Sequence, residues 1–409
     1  MNQASGHALA MATAIAARLA TPPGITGDRD RAWAQSLTKG AAGIALAHIE
    51  RASTGLASWQ TAHTWLTTAT STGISAADDA GLFAGVPAVA FAVRAASGAG
   101  RYTRALSTLD LHVTALAHRR ADQAQARIDG GTLPSLAEFD LIYGLTGIGA
   151  YLLQRPAADE ALERILSYLV QLTEPLRIDG DTVPGWWTGH DPAFASSPGF
   201  AGGHANFGIA HGITGPLALL ALTARKGITV NGQDQAIDRI CRWLDAWRQD
   251  GSTGPWWPQW VTREELHTGH TTQPGPLRPS WCYGTPGLAR AQQLAGIATG
   301  DTARQDMAEH ALTHCLSSPA QLSQITDTSV CHGWAGLLQT TWRAARDART
   351  PALANCLPHL TSQLIEYAHP GSGDGTGFLE GDAGLTLALY TAAHPAPPIT
   401  GWDACLLLD

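Results

Sequence analysis

Two kinds of predicted helix alternate along the chain. The first kind is an apolar run that directly follows a Gly-x-x-Gly turn or a close variant, as in "AHGITGPLALLAL" and "LEGDAGLTLALYTA". The second kind is amphipathic, as in "QAIDRICRWLDAWRQ", with apolar residues at positions i, i+3, i+4 and i+7. A helix that is apolar on all sides is expected to be buried, whereas a helix with one apolar stripe leaves its other side in water. The pattern therefore predicts repeated helix pairs, each with a buried inner helix and an amphipathic outer helix.

The turn that precedes the inner helices occurs in seven copies, 45 to 72 residues apart. Their first glycines are Gly40, Gly85, Gly144, Gly212, Gly284, Gly333 and Gly381. The second copy carries Ala88 in place of its second glycine. Small side chains let helices approach closely, which favours a closed ring of seven inner and seven outer helices over an open solenoid. In such an all-α ring, the residues just before each turn should converge at one end.

Two longer intervals, 171–208 and 250–280, are rich in glycine, proline and tryptophan. They predict ordered loops with short strands, and the interval 93–138 is a further place where an insertion could lie. Five tryptophans of the two loops either anchor them or form a rim that binds a peptide: Trp186, Trp187, Trp256, Trp257 and Trp260. No linker divides the chain, so we expect residues 1–409 to form a single domain with a small extension inserted.

The composition excludes several classes of function. The 409 residues are 44% hydrophobic and 15% charged, with a net charge of −8 and no run of five basic residues, which argues against a nucleic-acid partner. No apolar stretch reaches the 18 residues that a membrane span needs, and the first residues lack the pattern of a signal peptide. Six irregularly spaced cysteines suit a reducing compartment, so we expect a cytoplasmic protein.

Two of the cysteines stand just before the fifth and sixth turns, in "WCYGTPG" and "CHGWAG". Because these copies are neighbours in the predicted ring, Cys282, Cys331 and His332 should meet in space. Two thiols and an imidazole form a three-ligand zinc set, with the fourth position left for water or substrate, which is typical of catalytic zinc. The alternative is that both cysteines are small buried hydrophobes.

Three further polar residues lie near the same predicted end. His211, before the fourth turn, could exchange a proton at neutral pH. Asp140, before the third, could orient His211, or could instead cap a helix. Arg278 could stabilise an oxyanion, or could form a surface ion pair.

The stretches "AHGITGP", "WCYGTPG" and "CHGWAG" closely resemble the lanthipeptide cyclase family, LanC and LanC-like proteins. The resemblance extends from Gly40 to Gly384. The resemblance implies an α/α toroid of seven inner and seven outer helices, which in bacterial members can carry a small β-rich extension. It implies one zinc ion held by Cys282, Cys331 and His332. It also matches His211 and Asp140 to active-site residues, and less distinctively Arg278 and Tyr283.

The family resemblance further implies the reaction and its partners. Cysteine thiols of a dehydrated, leader-bearing precursor peptide add to dehydroalanine or dehydrobutyrine, forming lanthionine or methyllanthionine rings. A separate dehydratase and an exporter are the expected partners, with the protein in the cytoplasm or peripheral at the membrane in a biosynthetic complex. Alternatives are a LanC-like protein that binds or adds small thiols such as glutathione, a catalytically silent assembly scaffold, and a prenyltransferase, whose zinc sites normally include an aspartate that is not obvious here.

Overall fold

The computed structural model describes residues 3–25, 27–156, 159–251, 254–394 and 396–409. Most of them are helical. The α-helices are α1 Gln3–Arg18, α2 Asp28–Ala34, α3 Ala41–Ser53, α4 Trp59–Thr70, α5 Val86–Ala96, α6 Thr103–Asp129, α7 Leu136–Phe139, α8 Leu145–Leu152, α9 Glu160–Leu172, α10 Thr214–Arg225, α11 Gln233–Trp247, α12 Arg263–Thr268, α13 Thr285–Thr299, α14 Thr302–Ser317, α15 Pro319–Leu322, α16 Trp334–Asp347, α17 Ala352–Tyr367 and α18 Asp382–Ala393. The strands are β1 Leu176–Ile178, β2 Asp181–Val183, β3 His204–Asn206, β4 Gln249–Gly251, β5 Gly254–Trp256 and β6 Trp260–Thr262.

The helices that follow the seven turns are the buried ones, as the pattern predicts. They are α3, α5, α8, α10, α13, α16 and α18, and nearly all of their residues are inaccessible to solvent. Six of them begin at the residue after the first glycine of the turn, and α10 begins two residues after Gly212. The outer helices bury one stripe only. In α9, for example, Leu162, Ile165 and Leu169 are buried while Glu163 is exposed.

The glycines of the turns provide space for close backbone contacts. At the fifth turn, a Cβ on Gly284 would overlap the backbone nitrogen of Ser280, and a Cβ on Gly287 would overlap the carbonyl oxygen of Trp281. The chain before α13 therefore folds back onto the first turn of the helix, which fixes where the side chain of Cys282 leaves the backbone.

The described chain divides into two compact units. In the unit formed by 1–116 and 325–406, backbone hydrogen bonds join the segments that precede the turns of successive copies. The amide of Leu37 donates to Phe83, the amide of Leu379 to Thr38, and the amide of Cys331 to Leu379, over 2.9–3.1 Å. Helix α1 packs against α18 in this unit and so provides its outer partner.

The other unit contains 117–324 and 407–409, and it repeats the same connection. The amide of Leu141 donates to the carbonyl of Ala210 over 3.1 Å, and the amide of Ala210 donates to Cys282 over 3.4 Å. The residues before the third, fourth and fifth turns are thus held side by side.

All six strands lie in the two loop intervals or at their edges. Strand β1 pairs with β2, β4 with β5, and β3 with β6, each antiparallel. The β3–β6 pair joins one interval to the other, with Ala205 opposite Val261. The interval 93–138 holds α6 rather than an insertion of strands. None of the helices in the described ranges is long and apolar enough to cross a membrane.

Candidate metal centre and proton-transfer site

The two cysteine segments share one local structure, written Ser-x-Cys-x-Gly in both copies. The hydroxyl of Ser280 accepts a hydrogen bond from the amide of Tyr283 at 3.3 Å, and the hydroxyl of Ser329 accepts from the amide of His332 at 3.0 Å. Each serine therefore fixes the turn on which its cysteine lies. Sequence analysis missed these two serines, although their repetition at the same spacing could have revealed them.

The structure brings Cys282, Cys331 and His332 together. Their ligand atoms all lie within 4.8 Å of one another, and the two thiols are partly buried. Zinc bonds of about 2.3 Å to sulfur and 2.0–2.1 Å to nitrogen put tetrahedral ligand atoms about 3.5–3.8 Å apart, so a small adjustment would suffice. Soft thiol donors with one imidazole are a set that zinc prefers. These three residues therefore fit a zinc ion.

An aspartate lies beside the imidazole of this cluster. Asp327 Oδ2 is 3.6 Å from His332 Nε2, while Asp327 Oδ1 accepts a hydrogen bond from the amide of Ser329 at 2.8 Å. Carboxylates near a ligating histidine commonly orient its ring. Asp327 thus links the serine turn to His332.

His211 and Asp140 form a hydrogen-bonded pair. His211 Nδ1 lies 2.7 Å from Asp140 Oδ2, and Asp140 Oδ1 accepts from the amides of Tyr143 and Gly144 at 2.6 and 2.9 Å. Asp140 is fully buried, and burial raises the pKa of its carboxyl, while the bond to His211 and the two amides oppose that rise. The carboxylate occupies Nδ1, so Nε2 is the nitrogen of His211 that can exchange a proton with a substrate. Asp140 thus contacts His211 through one oxygen and the turn before α8 through the other, while the N-cap residue of α8 is Gly144.

Aromatic rings surround His211. The ring of Tyr143 stacks at 5.7 Å between centroids, that of Tyr283 lies at 6.2 Å, and that of Phe194 meets the imidazole edge-on at 6.4 Å. The hydroxyl of Tyr283 accepts a hydrogen bond from Asn206 Nδ2 at 3.2 Å. Because Tyr283 directly follows Cys282, one tyrosine connects the metal-ligand segment to the histidine.

The comparisons with known proteins agree with this arrangement. The profile of the lanthionine synthetase C-like protein family matches residues 31–407. The chain belongs to the lanthionine synthetase C-like family. A curated relative, nisin biosynthesis protein NisC of Lactococcus lactis subsp. lactis, is 24% identical over 290 residues, which are 69% of this chain and 68% of the relative.

A solved structure has the same fold as this family member. Nisin cyclase aligns with a TM-score of 0.79 at 22% identity, over 97% of this chain and 96% of that chain. The prediction of an α/α toroid with small sheets is confirmed. Family membership also confirms the predicted enzyme class, a cyclase that forms carbon–sulfur bonds.

The other cysteines of this LanC-like chain have different surroundings. Cys241, Cys315 and Cys405 are buried, and burial raises the pKa of the Cys241 and Cys315 thiols to about 12. Cys356, on α17, is only partly buried. The Cys241 and Cys315 thiols therefore stay protonated at neutral pH.

The burial of the loop tryptophans decides between the two alternatives for four of them. Trp186, Trp187, Trp256 and Trp257 are at most 6% exposed, so they anchor the loops and form no rim for a peptide. Trp260 is partly exposed and packs edge-on against Phe200 at 5.4 Å. Amphipathic indole rings in a Gly/Pro-rich segment suit either role, and only the packing decides between them.

Arg278 lies in the loop that leads to Cys282. It is partly buried, and its carbonyl oxygen packs against the α-carbon of Gly284, which leaves no room for a side chain there. Its role toward an oxyanion stays a prediction.

Proposed function

We propose that this protein is a zinc-dependent lanthipeptide cyclase. It adds cysteine thiols of a dehydrated, leader-bearing precursor peptide to dehydroalanine or dehydrobutyrine within the same peptide, which forms lanthionine or methyllanthionine. The observation that carries the proposal is the cluster of Cys282, Cys331 and His332. The amide of Ala210, the residue before His211, donates to the carbonyl of Cys282, and His211 is paired with Asp140.

Cys282, Cys331 and His332 would hold the zinc ion. When bound, zinc would lower the pKa of a coordinated substrate thiol and so supply a thiolate at neutral pH. Three protein ligands leave one position open for that thiol. The carboxylate of Asp327 lies beside His332 and stabilises the ring orientation.

The proton balance assigns a role to His211. In the addition, the thiol gives up one proton, sulfur bonds to the β-carbon, and the carbon–carbon double bond becomes an enolate. The α-carbon then takes up one proton, so that the reaction consumes none overall. His211 Nε2 delivers this proton, since Asp140 occupies Nδ1 and leaves Nε2 for the substrate. The positive charge of Arg278 stabilises the enolate oxygen, and Tyr283 keeps the imidazole aligned.

The substrate must come from an enzyme that removes water from serine and threonine, since the reaction consumes the resulting double bonds. A separate dehydratase is therefore the expected partner, and an exporter would take the cyclised product. The competing function is the binding or addition of small thiols such as glutathione.

The test counts free thiols, because intramolecular addition leaves the peptide mass unchanged. The purified protein would be incubated with a dehydrated, leader-bearing precursor peptide that contains cysteine, and N-ethylmaleimide labelling would then be read by mass spectrometry. The expected result is a loss of labelled cysteines relative to the peptide alone. Unchanged labelling would refute the proposal, and adducts that require added glutathione would favour the competing function.

A further inference from the structure

Two large apolar side chains beside His211 are exposed to solvent. The side chains of Tyr143 and Phe194 are 44% and 43% exposed, whereas the tryptophans of the same loops are almost all buried. The two rings meet edge-on with centroids 5.6 Å apart, and each also contacts the imidazole of His211. Exposed aromatic rings that touch a proton-transfer residue form a surface for substrate rather than for the core.

The backbone at Phe194 is held in an unfavourable conformation. Its φ is +62°, in the left-handed region that a bulky side chain rarely adopts. Asp191 fixes this turn, because its Oδ1 accepts from the amides of Ala193 and Ala195 at 2.9 Å each and its carbonyl accepts from the amide of Phe194 at 3.0 Å. The fold therefore places a phenyl ring at this point despite the local cost, and such positions cluster at ligand-binding sites.

The ring of Phe194 also packs against a second histidine. The imidazole of His190 stacks on Phe194 at 5.1 Å with an angle of 21° between the planes. The plane of Phe194 is nearly perpendicular to those of Tyr143 and His211, at 84° and 85°. Tyr143 and Phe194 thus form an aromatic corner, in which the ring of Tyr143 stacks on the imidazole of His211 and the ring of Phe194 meets it edge-on.

We propose that this aromatic corner is the subsite for the dehydroalanine or dehydrobutyrine residue of the substrate, and this inference rests on the proposed function. A dehydroamino acid is planar, because its double bond is conjugated with the neighbouring amides, and it carries no charge. A flat apolar group packs well on aromatic faces, whereas the tetrahedral serine or threonine from which it derives does not. The position also suits the chemistry, since the α-carbon that takes the proton must lie near His211.

The measurement is the affinity for a precursor peptide whose cysteines are replaced by alanine, so that no ring can form. Binding of its dehydrated and its unmodified forms would be compared by fluorescence anisotropy. The wild-type protein should prefer the dehydrated form by about three- to ten-fold, the range expected for one or two aromatic contacts. Phe194→Ala and Phe194→Leu should abolish this preference, while Phe194→Tyr, which keeps the aromatic face, should retain it.

Phe200 offers the matched control. It lies on the same segment, and its ring packs on His204 and Trp260 rather than on His211. Phe200→Ala should therefore keep the preference for the dehydrated peptide. The inference is overturned if the wild-type protein binds both forms equally, or if Phe194→Ala and Phe194→Leu discriminate as the wild type does.

Ring closure on the cysteine-containing precursor, measured in parallel, separates the two proposals. A protein that closes no rings would refute the proposed function. A protein that closes rings but shows no change in binding preference in Phe194→Ala would refute the aromatic subsite alone.

Discussion

Cys282 and Cys331 differ from the remaining cysteines in having a second thiol and an imidazole within reach. Cys282→Ala removes one of three ligands, so the protein is expected to lose zinc and ring-closing activity together. Zinc content by inductively coupled plasma mass spectrometry and thiol labelling would check this. Cys356→Ala is the control, because Cys356 is also partly buried but lies on α17. Zinc retained in full by Cys282→Ala would contradict the ligand assignment.

In the proposed mechanism His211 transfers a proton and does not bind the metal. His211→Asn should retain zinc and slow ring closure by about 10²–10⁴-fold, the usual contribution of a general acid or base. The rate would be followed by thiol labelling over time, with zinc content measured on the same sample. Normal zinc with a wild-type rate would remove His211 from the mechanism, whereas a loss of zinc would show that the histidine supports the metal site.

At the residue scale, sequence reasoning identifies the reactive groups but not their surroundings. Cys282, Cys331 and His332 are found because only two of the seven copies carry a cysteine before the turn. Phe194 is not found, because its exposure depends on a left-handed turn that Asp191 stabilises. The local sequence pattern does not indicate which of the aromatic residues in the loops stays exposed to solvent.

At the scale of helices, the first residues of the inner helices are predicted well, because each helix follows a Gly-x-x-Gly turn or its variant and is apolar on all sides. The strands are predicted only as a tendency of two loops. Strands β3 and β6 pair across 54 to 58 residues of chain, and this pairing depends on contacts that no local period encodes. Helix α1 shows the same limit, since its partner α18 lies at the far end of the chain.

The turn before α13 gives a prediction at this scale. Gly287→Ala would place a methyl group on the carbonyl oxygen of Trp281, so the turn that carries Cys282 must shift. We expect a loss of about 1–3 kcal/mol in the free energy of unfolding, as for other overpacked sites, together with weaker zinc binding. Thermal unfolding and zinc titration would measure both. Gly275→Ala, in the preceding loop with open space at its α-carbon, should change neither.

At the scale of the whole molecule, a buried carboxylate outside the candidate site is expected to contribute to stability. Asp403 is inaccessible, and its carboxylate accepts two hydrogen bonds from Arg343 at 2.6 Å each and one from Gln339 at 2.5 Å. Asp403→Asn removes a buried negative charge that accepts two hydrogen bonds from Arg343, and it should cost about 3–5 kcal/mol in chemical denaturation. The exposed pair of Asp238 with Arg242 is the control, and Asp238→Asn should cost less than about 1 kcal/mol. Equal losses in both variants would refute the buried-charge explanation.

Each of the two compact units also contains a buried histidine that stays neutral. Burial lowers the pKa of His48 and of His204 to about 4, and His48 Nε2 donates to the carbonyl of Leu19 at 2.8 Å. In the unfolded chain both titrate near 6.5, so between pH 6.5 and pH 4 the unfolded state binds more protons than the folded state. The stability that these residues contribute is therefore complete above pH 6.5 and is lost as the pH falls through this window, by up to about 3 kcal/mol for each histidine.

Comparing the pH dependence of unfolding in His48→Gln with that of the wild type separates the titration of His48 from that of the metal ligands, which both proteins share. His48→Gln keeps a donor toward Leu19 and removes the titrating group, so its free energy of unfolding should fall less steeply between pH 6.5 and pH 4 than that of the wild type. His359→Gln changes an exposed histidine on α17 and should leave the slope unaltered. Urea denaturation of metal-free protein at several pH values would measure all three. Parallel curves for His48→Gln and the wild type would mean that His48 is protonated in the folded state, and the carbonyl of Leu19 would then accept its proton in a charge-assisted bond.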